Sequence, residues 1–228
     1  MTATVTSAIA SAYGTLDVTD DRQVIDYERH FYDAYTGLAD NKLVRLIWEW
    51  DDTRQRVRTR IPYSDQVIYS ARDSRGRLAV AMAVNLSYPA EFQAAAFGFP
   101  RAGGAKGRYC EILNVITTAH HSETACATYR SFISGFGYGD LVAHGFQAAY
   151  ATCTRRRLRP YQRLGAQLLA QTSIDGEDRF FLQWPLRDLT STTGHPAGET
   201  HRDNENIFYG VSNSPYKYTK LSRSCLEH

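Results

Sequence analysis

A single acidic residue breaks an otherwise apolar run in Tyr109-Cys-Glu-Ile-Leu-Asn-Val-Ile-Thr-Thr118. A carboxylate at Glu111 is either a strand-end charge, solvated or paired with Arg108, or a proton acceptor whose pKa rises in a partly desolvated cleft. Further along, Arg155-Arg-Arg-Leu-Arg-Pro-Tyr-Gln-Arg-Leu-Gly165 gathers Arg155, Arg156, Arg157 and Arg159 beside Tyr161. Such a cluster is a solvated face, or a seat for phosphates or an acidic partner surface. The phenol either packs its helix onto a sheet or, with a pKa near about 10, donates a proton. His120 and His121 are of a type that can act as a base near neutral pH, but without carboxylate or cysteine partners at ligand spacing the pair reads first as exposed. Cys110, Cys126, Cys153 and Cys225 form no CxxC pair and no Cys/His ligand spacing. No metal is therefore expected, and the thiols read as reduced. Nucleophile-elbow, HExxH, Walker and dinucleotide fingerprints are all missing from the chain.

The elements that must position these residues follow from periodicity. Residues 1–19 carry little pattern and are expected to be loosely held. Val24, Tyr27, Phe31 and Tyr35 recur at helical steps behind Asp20 and Asp21, which predicts a helix ending near Gly37. Leu43 to Trp50 suits a second helical piece or a strand. Apolar runs at 66–73 and 77–86 flank Ser74-Arg-Gly76 as a hairpin. The stretch from Pro89 to Gly107 mixes glycines with Phe92, Phe97 and Phe99; it is a loop pinned to the core by its rings, or one whose rings line a substrate site.

Glu111 to Thr118 reads as a strand. Ser122 with Glu123 opens a helix that carries Cys126, Tyr129, Phe132, Ile133 and Phe136 and is ended by Gly135, Gly137 and Gly139. Asp140 is expected to cap a short helix, 148–154 to form a strand, and 156–164 to form a helix stopped by Gly165. Residues 166–173 and 179–185 pair across Asp175-Gly176. Beyond Leu186 the chain turns polar and rich in breakers, with Ile207-Phe-Tyr209, Tyr216 and Tyr218 as its apolar anchors.

At 228 residues the chain fits one domain, expected over 20–186, with 187–225 as an extension packed on it. Leu226-Glu-His228 has the look of an expression-tag remnant and is set aside. Hydrophobic residues at 43% and charged residues at 22% fit a soluble globular protein. A net charge of +2 gives no global reason to expect nucleic acid. No apolar run reaches the roughly 18 residues of a membrane span, and the first residues lack the basic region of a secretory signal. No membrane partner is expected, and a cytoplasmic location is.

The order of strand, helical insert, short strand and helix ending in Tyr-x-x-x-Gly is carried by Tyr109 to Thr118, Gln147-Ala-Ala-Tyr-Ala-Thr-Cys153 and Arg155 to Gly165. It resembles the GCN5-related N-acyltransferases, and within them it is similar to the acyl-homoserine lactone and N-acyl amino acid synthase branch, over residues 60–186. The resemblance implies a mixed α/β (α+β) fold: a mostly antiparallel twisted sheet with a splayed central parallel strand pair and helices on both faces. It also implies acyl transfer from a thioester to an amine, with the donor's pantetheine arm pairing along Leu113, Asn114, Val115, Ile116 and Thr117. Glu111 matches the first position of that branch's Glu-x-x-Arg as proton acceptor, while Asn114 stands where the arginine would be. Tyr161 falls four residues before Gly165, as does the family tyrosine that protonates the departing thiolate; the chain then continues with Ala166 where Gly-Phe is usual.

After Thr118 the family places a glycine-containing arm whose N–H groups hold the pyrophosphate of coenzyme A at a helix N-terminus. Here the arm is Ala119-His-His-Ser-Glu-Thr-Ala125, without glycine. Acyl-phosphopantetheine on an acyl carrier protein thereby joins acyl-CoA as a candidate donor. Thr118, Ser122, Arg155 and Arg156 are the candidate donor contacts. Trp48, beside Trp50, and Phe92, Phe97 and Phe99 are candidate walls for an acyl group longer than acetyl. The expected acceptor is a primary amine of an amino acid, small metabolite or peptide. The alternative is a catalytically silent module of the same fold, binding a ligand or partner protein in that cleft. Missing glycines and the absent arginine favour the silent module; retention of Glu111 with Tyr161 opposes it.

Overall fold

The computed structural model describes residues 13–37, 42–73, 75–103, 107–117, 135–163 and 165–186. After a short strand β1 (Tyr13–Thr15), helix α1 (Asp21–Thr36) forms where its periodicity predicts it. The Asp20 carboxylate caps it by accepting the Arg22 N–H at 2.9 Å, and Gly37 closes it. Its buried stripe is Val24, Tyr27, Glu28, Phe31, Ala34 and Tyr35. The ambiguous run after it becomes both things: helix α2 (Lys42–Ile47) passes directly into strand β2 (Trp48–Asp51). Strand β2 pairs with β3 (Arg56–Thr59) in a separate two-stranded sheet, and Glu28 of α1 ties that hairpin to the turn after it by accepting from Arg56 and from the Tyr63 hydroxyl.

Strands β4 (Gln66–Arg72) and β5 (Leu78–Asn85) form the predicted hairpin, its turn held by Asp73, which accepts the Arg75 and Arg77 N–H groups. The aromatic loop that follows contains a 3₁₀ turn at Gln93–Phe97 and returns through Gly107 to strand β6 (Arg108–Thr117). Gly107 has φ +144°, and a Cβ there would lie 2.7 Å from the Gln147 side-chain oxygen and 2.8 Å from the Tyr109 hydroxyl, so the return needs glycine.

The helix expected from Ser122 falls outside the described residues, as do the N-terminal segment 1–12 and the extension beyond 186. Gly135 and Gly137, expected to end that helix, are themselves helical. Residues 135–137 form a π-helical turn that runs straight into α3 (Tyr138–Ala143). Asp140 is therefore inside the first turn and not its cap; its carboxylate accepts the Tyr69 hydroxyl at 2.7 Å instead. Strand β7 (Phe146–Thr154) leads without a loop into α4 (Arg155–Arg163), which Gly165 terminates at φ +85°. Strands β8 (Gln167–Ile174) and β9 (Glu177–Pro185) turn on Asp175 and Gly176, both at positive φ as predicted.

The seven-stranded sheet has the order β1-β4-β5-β6-β7-β9-β8, and β6–β7 is its parallel pair among otherwise antiparallel neighbours. Alternate residues of the central strands feed two cores. Ile68, Ala81, Ala83 and Phe181 pack under α1 and the Trp48 hairpin, while Tyr69, Met82, Phe180 and Leu182 pack under α3 and α4. Burial on both faces explains why these strands read as near-continuous apolar runs.

Candidate active site

Strands β6 and β7 run side by side only at their beginnings. Pairing goes from Arg108↔Phe146 to Glu111↔Tyr150 and then stops. Past that point β6 stays with β5 as far as Thr117↔Val80, while β7 stays with β9 as far as Thr154↔Arg179. Two strands that continue with different neighbours must part, and the gap opens at their C-terminal ends. A bulge deepens it: Ala83 pairs with Asn114 and Val84 with Ile112, which leaves Leu113 as the extra residue of β6.

The gap holds a cavity of about 80 Å³. Ile112, Leu113, Asn114 and Val115 line it from β6, and Ala151, Thr152, Cys153 and Thr154 face them from β7. Tyr161 reaches it from α4, with Arg157 from the same helix and Arg179 from β9. Tyr35, Val44, Ile47, Trp48 and Phe97 make an apolar side. Tyr161 is half-buried and braced edge-on against Trp184, ring centroids 5.3 Å apart.

Glu111 lies at the apex, where β6 and β7 separate, and is 1% exposed. Each of its oxygens takes a backbone N–H of the aromatic loop, Gln93 at 2.7 Å and Ala94 at 2.8 Å, and Asn85 approaches at 3.5 Å. It is not among the lining residues, and Arg108 points elsewhere, donating to the His144 carbonyl. Burial pushes the carboxyl up from its ordinary value to about 7, while the two N–H donors hold it lower than burial alone would.

Through that clasp Glu111 fixes Gln93, a residue without a sequence signal. The Gln93 amide donates to the carbonyl of Leu113 at 3.2 Å and accepts the Trp48 indole N–H at 2.5 Å. It ties the loop, the bulge and the apolar side of the cleft together.

The remaining candidates divide. Leu113, Asn114 and Val115 line the gap, whereas Ile116 is buried in the core. The Thr117 backbone ends the β5 pairing, and Thr118, Ser122, His120 and His121 lie outside the described residues. Asn114 is tied to the Tyr27 hydroxyl of α1 at 3.0 Å. Trp48 and Phe97 face the cavity. Phe92 packs against Tyr88, Phe99 against Phe181, and Trp50 under the Arg45 guanidinium, all away from it. Arg155 is held outside by Asp178 at 2.6 Å, and Arg156 is exposed. Their place in the cleft is taken by Arg157 and by Arg179, the latter detectable in sequence only as a charge heading the apolar run Phe180-Phe-Leu182.

Among the described residues no group of three or more His, Cys, Asp or Glu side chains is placed to hold a metal, and no helix is long and apolar enough to cross a membrane.

Solved structures share this architecture. BjaI, a CoA-dependent acyl-homoserine lactone synthase solved with SAM and isopentyl-CoA, superposes with a TM-score of 0.56 at 12% identity, covering 81% of this chain and 92% of its own. TofI, solved in a ternary complex with an inhibitor and MTA, gives 0.56 at 11% identity over 77% and 91%. MesI, another CoA-dependent acyl-homoserine lactone synthase, gives 0.54 at 14% identity over 78% and 91%. No family model matches the chain, and no curated protein matches it by sequence. The fold is that of the GCN5-related N-acyltransferases, in the form seen in acyl-homoserine lactone synthases.

Proposed function

We propose that this protein is an N-acyltransferase that moves an acyl group from a pantetheine thioester to a primary amine. The observation that carries the reading is the parting of β6 from β7 after Glu111 and Tyr150, with Tyr161 reaching the gap. Backbone groups of β6 that face the gap have lost a neighbouring strand, and an amide-bearing arm can take that strand's place. The thioester carbonyl then lies against the bulged segment between Leu113 and Val115, where a backbone N–H stabilises the developing oxyanion. The amine attacks, the C–N bond forms as the C–S bond breaks, and the Tyr161 phenol protonates the thiolate; phenol and thiol are close enough in acidity for easy transfer.

Glu111 has a different duty from the one its sequence position suggests. Both its oxygens hold the Gln93 turn, so it shapes the cleft, and the amine proton leaves to water. The apolar side built by Val44, Ile47, Trp48 and Phe97 suits an acyl group longer than acetyl. Acyl-CoA and an acyl carrier protein present the same pantetheine thioester to this gap, and assaying both with one acyl chain assigns the donor. The CoA dependence of BjaI and MesI supports acyl-CoA; the glycine-free arm at 119–125 supports the carrier.

The test is Tyr161→Phe, which keeps the ring against Trp184 and removes only the proton donor. Turnover is expected to fall by roughly 10²-fold with donor affinity retained. Unchanged turnover in a folded variant would make Tyr161 a packing residue and remove the proposed acid.

A further inference from the structure

The two edges of the seven-stranded sheet differ. Strand β1 ends it on one side with 3 residues, too short an edge to template another chain. Strand β8 ends it on the other with 8 residues and has β9 as its described neighbour. An edge strand turns about half of its backbone N–H and C=O groups away from its partner, and edges left in water are blunted by charge or proline. Gln167-Leu-Leu-Ala-Gln-Thr-Ser-Ile174 carries neither. Its register slips between Leu168 and Ala170, which makes Leu169 the extra residue of a bulge, while Ala170 to Ile174 stay in regular pairing with Phe181 to Glu177. Leu168 and Leu169 are each 42% exposed. The other large hydrophobic side chains exposed among the described residues, Leu46 and Leu86, stand singly and need no partner. An adjoining pair on an uncharged edge does.

We infer that the chain covers this edge itself: the segment Ile207-Phe-Tyr-Gly-Val211 of the C-terminal extension, which lies outside the described residues, docks along the outer side of β8 with its apolar side chains over Leu168 and Leu169. Place favours it. Strand β9 leads into the extension at Leu186, and Gln183 pairs with Gln167, so the extension departs from the end of the hairpin at which β8 and its leucines begin. Reach favours it as well. A strand added outside β8 lies two strand spacings from β9, about 10 Å, and residues 187–206 cover that several times over at up to about 3.3 Å each. A tethered segment also meets β8 at an effective concentration well above that of separate copies of the chain. Residue type then selects the stretch. The extension is mostly polar and rich in breakers up to Asn206, whereas Ile207, Phe208, Tyr209 and Val211 are of the β-branched and aromatic kinds that suit a strand. The later Tyr216-Lys-Tyr-Thr-Lys220 is broken by two lysines, the side chain that edges use to repel pairing. Just before β8 begins, the Ala166 N–H donates to the Tyr161 carbonyl at 3.0 Å, which puts the docked segment beside the end of the helix that carries Tyr161.

The experiment is hydrogen–deuterium exchange of the full chain, read in peptides covering 167–174 and 206–211, with the protein both dilute and concentrated. A bare edge leaves about half of the β8 amides exchanging fast. Docking is expected to slow those outward amides by roughly tenfold or more, together with the amides of 207–211, and equally at both concentrations. The double variant Ile207→Asp, Phe208→Asp alters no residue of the sheet. It is expected to return the outward β8 amides to fast exchange and to leave peptides covering 78–85 and 146–154 unchanged. Leu169→Lys, the reciprocal variant, is expected to release 207–211. Fast exchange of the outward β8 amides in the unaltered chain would overturn the inference, as would protection that survives the double variant. Protection that rises with protein concentration would overturn it too, giving the edge to a second copy of the chain.

Discussion

Glu111 carries two readings that pH separates. As a clasp, its buried carboxyl titrates near 7 in the folded chain against an ordinary value of 4.5, because burial penalises its charge. A group whose folded pKa is raised in this way takes up a proton on folding between the two values. Its contribution to stability is therefore greatest below about 4.5 and is lost as the pH rises through about 7, on the order of 3 kcal/mol at most. Denaturant unfolding between pH 5 and 8 is expected to show stability falling as pH rises, with Glu111→Gln flattening the slope; equal slopes in the two proteins would contradict the assignment. Turnover distinguishes the duties as well. Loss of a general base costs about 10²-fold to 10⁴-fold in rate, whereas loss of the clasp is expected to raise KM more than it lowers kcat. The charge at Glu111 was legible in the sequence because an acid inside an apolar strand must be satisfied by something. What satisfies it was not, because the donors are backbone N–H groups of a loop whose path no side chain announces.

At the scale of elements, the cleft depends on a loop being hooked to a bulge. Gln93→Leu removes the acceptor of the Trp48 indole N–H and the donor to the Leu113 carbonyl. Leaving those buried groups unsatisfied is expected to cost about 1–3 kcal/mol, seen as a lower unfolding midpoint, and to weaken donor binding as the loop detaches from β6. Retained stability and donor affinity would show that the loop is positioned by its rings alone. The strands, the hairpin turns and helix α1 were readable because each has a local pattern: near-continuous apolar runs buried on both faces, Asp175-Gly176 at positive φ, and a capped stripe from Val24 to Tyr35. The run from Leu43 to Trp50 was ambiguous for a physical reason, since it contains a helix and a strand joined without a break at Ile47 and Trp48. Gln93 left no trace, because its partners lie 45 and 20 residues away and exist only once the bulge forms.

At the scale of the whole molecule, a sheet that its described residues pack on both faces opens between its parallel strands, and the charged side chains described at that opening are Arg157 and Arg179. The parallel pair and its parting follow the expectation drawn from the order of segments between Tyr109 and Gly165. The meeting of Arg157 and Arg179 at the cavity does not, because it joins the start of α4 to a strand two elements later and is visible only after β7 and β9 pair. A silent binding module and an acyltransferase would share all of this architecture and differ in whether the thioester is consumed. The most direct measurement is mass spectrometry of the protein incubated with a medium-chain acyl-CoA or acyl carrier protein and a panel of primary amines, amino acids among them, quantifying N-acyl product and free thiol together. One equivalent of N-acyl product formed per thiol released, abolished without acceptor, is the predicted result. Thioester recovered intact with every acceptor, or hydrolysed to the free acid at a rate indifferent to the amine, would contradict it.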